Sequence, residues 1–223
     1  MRLEKFCRQL SGNNNKNIFI LKCDIKRFFD SIDQDILLEL VRRRIQDEKA
    51  LCLIEKIVKS FAKEKNKGLP LGNVTSQLFS NIYLNELDQF IKHRLKIRYY
   101  LLYCDDFVIL VENENYLLRL IMEIEEFLAR ELKLFLHPNK IIIRKYHQGI
   151  DFLGYVVLPH YRVLRTKTKK RILKRISEKR QRLSQALFSD RSFNQSLQSY
   201  LGTLKHCKSY SVRGTIYRVC RQL

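Results

Sequence analysis

The chain predicts an α+β fold, an antiparallel sheet with helices packed on one face. Three observations predict it. The elements run in the order strand, helices, hairpin, helix, strands, helical tail, with no regular β-α alternation. The run Tyr99-Tyr-Leu-Leu-Tyr-Cys-Asp-Asp-Phe-Val-Ile-Leu-Val111 reads as a tight β-hairpin with Asp105 and Asp106 at its tip. An apolar fraction of 45% over 223 residues supplies a substantial core for one large domain or two small ones.

Each element has its own signal. Residues 1–17 end in the polar stretch Ser11-Gly-Asn-Asn-Asn-Lys-Asn17, a loop. Ile18-Phe-Ile-Leu-Lys-Cys-Asp-Ile25 is an apolar run of strand length that ends at an acid. Ser31-Ile-Asp-Gln34 fits a capping box, with Ser31 as N-cap of a helix reaching Arg44. Leu51, Ile54, Ile57, Val58 and Phe61 mark one face of a helix over 48–61. Gly68-Leu-Pro-Leu-Gly72 breaks the pattern, and a third helix over 75–95 follows, with Asn81, Asn85 and Asp88 on one side. After the hairpin, Leu117, Leu120, Ile121, Ile124, Phe127 and Leu128 form the core stripe of a helix over 114–132. His137-Pro-Asn-Lys140 reads as a turn. The segments 141–145 and 150–158 read as two strands. In the tail, Ile172, Leu173, Ile176, Leu183 and Leu187 keep a helical period, and Phe193, Leu197 and Leu201 continue one.

The net charge is +20, and it is uneven. From Tyr155 onward there are seventeen basic residues against two acidic ones, Glu178 and Asp190, which is three quarters of the surplus. A polyanion is the natural partner, nucleic acid ahead of a membrane surface. Interleaved apolar residues argue against a disordered basic tail. The six cysteines are scattered and contain no C-x-x-C pair, which argues against zinc and for reduced thiols. Cys23 and Cys104 each precede an aspartate and are expected as small buried strand residues. No apolar run reaches 18 residues and the first residues lack an apolar signal region. A cytoplasmic location without membrane contact is therefore expected.

Two adjacent carboxylates repel unless a cation lies between them, and hard oxygen ligands suit Mg²⁺. A solvated Asp-Asp turn is the competing reading. The segment Asp24-Ile-Lys-Arg-Phe-Phe-Asp30 adds a second acidic motif, where Asp24 ends a strand and Asp30 precedes a helix N-terminus. Phe28 and Phe29 cannot share one strand face, so one is a candidate to point into a site.

These two segments occur in order with Gly68-Leu-Pro-Leu-Gly-Asn-Val-Thr-Ser-Gln77, His137-Pro-Asn-Lys140 and Phe152-Leu-Gly-Tyr155. Together they resemble the palm motifs of reverse transcriptases, over residues 18–158. The resemblance implies a reverse-transcriptase palm followed by a basic helical thumb at 159–223, with 1–17 a residual fingers segment. It implies that Asp24, Asp105 and Asp106, with the Ile25 carbonyl, hold two Mg²⁺ (Mn²⁺ being an alternative) for nucleotidyl transfer. Phe29 matches the aromatic steric gate. Leu71, Gly72 and Gln77 match the nucleotide-binding loop, and Lys140 the lysine near the triphosphate. Phe152, Leu153 and Gly154 match the primer grip. Arg165, Lys167, Lys169, Lys170, Arg171, Lys174 and Arg175 are the expected nucleic-acid contacts. The implied partners are an RNA template, a DNA primer, dNTP substrates and a small basic accessory protein.

Leu71 and Gln77, in place of the glutamine and proline usual in intron-encoded relatives, look like the reverse transcriptases of diversity-generating retroelements, which copy RNA with errors. Leu102 and Cys104 depart from the usual hairpin sequence without removing a carboxylate. The short segment before the first strand leaves little for fingers motifs, so a fragment or a split gene is expected. A catalytically impaired nucleic-acid-binding module and a group II intron maturase-type enzyme are the two alternative readings.

Overall fold

The computed structural model describes residues 1–70, 72–185 and 189–221. It divides into two compact units, Phe6–Lys145 and Met1–Lys5 with Tyr146–Leu223. Residues 146–158 thus cluster with the basic tail, although the motif reading grouped them with the strands before it. Helix α1 (Arg2–Leu10) begins the chain.

The first unit is built on a four-stranded antiparallel sheet of order β2-β3-β1-β4: β1 (Phe19–Asp24), β2 (Tyr100–Tyr103), β3 (Asp106–Val111) and β4 (Ile142–Lys145). Between β1 and β2 lie α2 (Phe28–Ser31), α3 (Gln34–Arg42), α4 (Glu48–Lys59) and α5 (Val74–Gln89). Helix α6 (Glu114–Leu132) joins β3 to β4. Side chains alternate along a strand. Leu21, Cys23 and Ile25, with Phe107 and Ile109, therefore share one face, and they form a buried core with Leu37, Val41, Phe79, Tyr83, Leu87, Leu120, Ile124 and Leu128 of α3, α5 and α6. Helices on one face of an antiparallel sheet, as the pattern predicted, is the arrangement found.

Several local expectations are corrected. Asp33, not Ser31, caps α3: its Oδ1 accepts from the N–H groups of Asp35 and Ile36, both at 3.1 Å. Gln34 cannot close a capping box because its buried amide is used elsewhere. Its Nε2 donates to the carbonyls of Val58 (3.1 Å), Phe61 (2.5 Å) and Gly68 (2.9 Å), tying the 61–69 loop to α3. The third helix ends as α at Gln89 and continues as a π-helical turn, Phe90–Arg94. Cys104 is exposed, with φ 51°, in the hairpin turn, whereas Cys23 is buried as expected.

The segment 150–158 is not one strand. It folds as a hairpin, β5 (Ile150–Phe152) and β6 (Tyr155–Val157), turning through Leu153 (φ 52°) and Gly154 (φ 84°), as a two-residue turn with both φ positive requires. A third strand, β7 (Arg162–Leu164), pairs with β6 and had no signal in the sequence reading. Helices α7 (Thr166–Ser184), α8 (Asp190–Leu204) and α9 (Tyr210–Arg221) follow, with Ile172, Ile176, Phe193, Leu204, Val212 and Ile216 between them. Leu187, expected on the apolar face, lies outside the described residues. Among the described residues no helix is long and apolar enough to cross a membrane.

A buried polar network holds the helices together. Lys133, in the left-handed conformation that ends α6, places its Nζ 2.7 Å from Asp33 Oδ2. The Tyr83 hydroxyl on α5 donates to the Leu132 carbonyl (2.7 Å) and accepts from the Asp33 N–H (3.3 Å). Burial works to raise the Asp33 pKa. The bonds from Lys133, Ile36 and Asp35 outweigh it and hold the carboxyl below its ordinary 3.8. Because the folded-state pKa is depressed, this stabilisation is present above pH 3.8 and is lost as pH falls through the folded value. Asp33→Ala should therefore cost about 1–2 kcal/mol near neutral pH, the range for a lost N-cap. The gap between variant and wild type should close in acid-pH urea melts.

Candidate active site

The β1–β3 register sets Asp24 opposite Asp106 at the end of the two central strands. The next rung closes with the Ile25 N–H donating to the Asp105 carbonyl at 3.1 Å. Residues 25 and 105 thus form a hydrogen-bonded rung, so Asp24 and Asp106 form the neighbouring non-bonded pair, whose side chains lie closer together. Both carboxylates stand on the face away from the helical core. Asp105 sits with Cys104 in the two-residue turn that joins Tyr103 to Asp106.

A second strand end converges on the same place. The His137 N–H donates to the Asp24 carbonyl (2.8 Å), and the Lys26 N–H donates to the Phe135 carbonyl (2.9 Å). The short 3₁₀ turn Pro138–Lys140 then carries Lys140 back over the strand, and its Nζ lies 2.8 Å from Asp24 Oδ2. Lys22, two residues before Asp24 on the same face, lies 3.6 Å from Asp106 Oδ2. Burial is the main cause that raises the pKa of both Asp105 and Asp106. Asp24 adds to it at both, Lys22 and Lys140 oppose it at Asp105, and Lys22 opposes it at Asp106. Burial also pushes the Cys23 thiol up to about 12, so that neighbour is no nucleophile.

Among the described residues, no three His, Cys, Asp or Glu side chains form a ready-made metal cage. Asp24, Asp105 and Asp106 are near enough for their charges to raise the pKa of Asp105 and Asp106, but they do not form a closed ligand set. That still fits Mg²⁺, which ordinarily takes one or two carboxylates and fills its remaining positions with water and substrate phosphates. The donors available are hard oxygens, and their mutual repulsion is what a divalent cation relieves.

The other predicted residues separate into two groups. Phe29 is half-buried on α2, beside the fully buried Phe28 (ring centroids 5.3 Å), and its carbonyl accepts from the Leu69 N–H at 2.8 Å. Gly72 (φ 95°) and Gln77 are exposed at the start of α5. Leu71 lies outside the described residues. Asp30, expected only as a helix-terminus charge, is paired with Lys63 at 2.5 Å.

Phe152, Leu153, Gly154 and the basic residues belong to the second unit. There Phe152 is buried and Leu153 is exposed at the hairpin turn. The Arg165 N–H donates to the Gly154 carbonyl (3.0 Å), and Arg165 Nε pairs with Asp151 at 2.6 Å. A cavity of about 500 Å³ is lined by Leu153, Gly154, Arg165, Lys167 and Arg171, among others. Lys167, Lys170, Arg171, Lys174 and Arg175 form an exposed stripe along α7, opposite the buried Ile172 and Ile176, and Lys169 lies half-buried beside it.

The residue that sequence reasoning missed is Lys22. Its signal was available, because a lysine inside an apolar strand and two positions from Asp24 must share that acid's face.

Comparison with known proteins adds independent findings. The reverse transcriptase (RNA-dependent DNA polymerase) family matches residues 2–157. "Protein YkfC" of Escherichia coli (strain K12) is 29% identical over 175 residues, covering 61% of this chain and 46% of that protein. The "Group II intron-encoded protein LtrA" of Lactococcus lactis subsp. cremoris is 28% identical over 216 residues, covering 66% of this chain and 35% of that protein. Among solved structures, a telomerase from Candida Tropicalis bound to a TWJ fragment of telomeric RNA superposes with a TM-score of 0.59 at 13% identity, over 90% of this chain and 40% of that one. That likeness concerns the fold. The chain spans less than half the length of each of these relatives.

The geometry predicts that Asp105→Asn leaves the fold intact and raises the thermal midpoint of the protein in chelator. It removes one of three mutually repelling charges. An unchanged or lowered midpoint in calorimetry would show that the repulsion is already relieved within the chain.

Proposed function

The chain belongs to the reverse transcriptase family, and from that premise we propose that it is the palm and thumb of an RNA-directed DNA polymerase. The placement of Asp24 opposite Asp106, with Asp105 in the adjoining turn, is the observation that carries the reading. In this proposal the first unit supplies the palm chemistry, and the second supplies the primer grip and the basic thumb.

Asp24 and Asp105, with the Ile25 carbonyl, would hold two Mg²⁺, with Asp106 supporting them. Such cations would supply Lewis-acid charge for in-line attack of a primer 3′-hydroxyl on a dNTP and for departure of pyrophosphate. The chain's own residues hold the geometry. The backbone bonds Ile25–Asp105 and His137–Asp24 fix the strand ends against one another. Lys140, half exposed on a turn anchored to Asp24, is placed to neutralise and protonate the leaving pyrophosphate. Phe29 limits the space beside the incoming sugar and disfavours a 2′-hydroxyl. The Leu153-Gly154 turn contacts the primer strand. The α7 stripe follows phosphates at one helical turn per step, a spacing of about 5.4 Å.

A second reading concerns subtype. A group II intron-encoded protein is among the similar relatives, which supports a maturase-type reading. Leu71 and Gln77 favour the diversity-generating branch instead. A leucine makes no polar contact, so the hold on the incoming base would be loosened, and unmade polar contacts lower discrimination. If this is the cause of errors, Leu71→Gln should reduce misincorporation opposite adenine, read by sequencing the cDNA. An unchanged error spectrum removes the support for this branch.

Primer extension on an RNA template with Mg²⁺ tests the main reading. The expected result is extension by the wild type that falls to background in Asp105→Asn. No extension by the wild type would favour a binding module. Lys170→Ala and Lys174→Ala should each weaken template-primer binding regardless of sequence and reduce the slope of log K against log salt by about 1.

A further inference from the structure

The two lysines that face the carboxylates are held differently. Lys140 is carried by a 3₁₀ turn, and its side chain is 50% exposed. It can exchange Asp24 for another anion at little cost in solvation. Lys22 is a residue of the central strand. Its side chain is only 14% exposed, and on its face the neighbouring positions Ile20, Val108 and Leu110 are buried. The register places it opposite Val108 and diagonal to Asp106, within reach of a long side chain. A cation with so little access to water is stable only when it is paired, and among the described residues Asp106 is the carboxylate within ion-pair distance of it.

We infer that Lys22 is a positioning residue of the active site, a built-in counter-ion that fixes the Asp106 carboxylate and cancels its charge, leaving Asp24 and Asp105 as the carboxylates that receive cations. The inference rests on the carboxylate reading of the site and adds a division of labour within it. Three acids at one strand end carry three negative charges. Lys22 reduces the effective charge by one without occupying a ligand position on Asp24 or Asp105. Lys140 reduces it by a second, reversibly. A lysine that merely filled space in the strand would be replaceable by methionine, which matches its length and apolar stem. Such a replacement would alter packing but not the charge that an arriving cation meets.

The experiment uses the full chain with Lys22→Met, Lys22→Arg, Asp106→Asn and the double variant Lys22→Met/Asp106→Asn. Urea unfolding in chelator reads the coupling. The expected result is that each single change destabilises and that the double variant loses less than the two single losses added, because Asp106→Asn removes the charge that Lys22→Met leaves unpaired. Mn²⁺ titration followed by electron paramagnetic resonance reads the cation role. The expected result is that Lys22→Met binds Mn²⁺ tighter, by about threefold or more, while Lys22→Arg stays at the wild-type value. Strictly additive unfolding losses, or an Mn²⁺ affinity unmoved by Lys22→Met, overturns the inference while leaving the carboxylate reading in place. A wild type that binds no Mn²⁺ at all, with the Lys22–Asp106 coupling intact, overturns the carboxylate reading and the cation role of Lys22 with it.

Discussion

The constraint on which the rest depends is the register of β1 against β3. It sets two carboxylates face to face at the end of the central strand pair, an arrangement that electrostatics opposes. Two unit charges 4 Å apart repel by about 1–4 kcal/mol between bulk water and a protein surface. The other face of the same strands offsets this. Leu21, Cys23, Ile25, Phe107 and Ile109 are buried against the helices, and each large apolar side chain contributes about 1.5–3 kcal/mol. A slip of β1 by one residue would turn Leu21, Cys23 and Ile25 away from the helices and carry Asp24 toward them. The packing of that face against the helices therefore holds the two acids opposite one another.

Stabilising and functional polar groups occupy different places. Asp33, Gln34, Tyr83 and Lys133 take part in bonds that fasten α3, α5, α6 and the 61–69 loop. The groups at the strand ends are held by backbone bonds, and their carboxylates face the lysines Lys140 and Lys22 rather than the helices. Backbone strain does not follow this division, since Asn66 in the 61–69 loop and Lys133 at the end of α6 also have positive φ. Arg27, Cys104 and Leu153 all have positive φ without being glycine, and all lie in the segments that carry the functional motifs. Such conformations cost on the order of 1 kcal/mol or more and persist where the surroundings impose them.

Much of this was legible in the sequence because it rests on short-range patterns. The boundaries of α6 were read correctly from its apolar stripe, and the hairpin from two β-rich runs around an acidic turn. What was not legible depends on competition or on distance. Ser31 and Asp33 are both good caps, and the choice falls to Asp33 because Lys133, a hundred residues away, completes its bonds. Gln34 looked like half of a capping box because its three carbonyl partners lie 24 to 34 residues on. The 150–158 run looked continuous because leucine is a poor signal for a turn, and only Gly154 marked it. The pairing of Lys140 with Asp24 spans 116 residues and has no local trace. Lys22 is different: period-two alternation was enough to place it beside the acids.

A chain of net charge +20 attracts a polyanion from any direction. Its one strand end dense in acids repels the same phosphates at close range. The two effects act over different distances, since at physiological salt charges are screened beyond about 8 Å. In the proposed function a nucleic acid is drawn to the protein by the basic surface, while a phosphate enters the acidic end only with positive charge between it and the aspartates. Lys22 and Lys140 would supply part of that charge from within the chain. The remainder would arrive as a cation, so on that reading binding of a triphosphate and binding of divalent metal are two halves of one event.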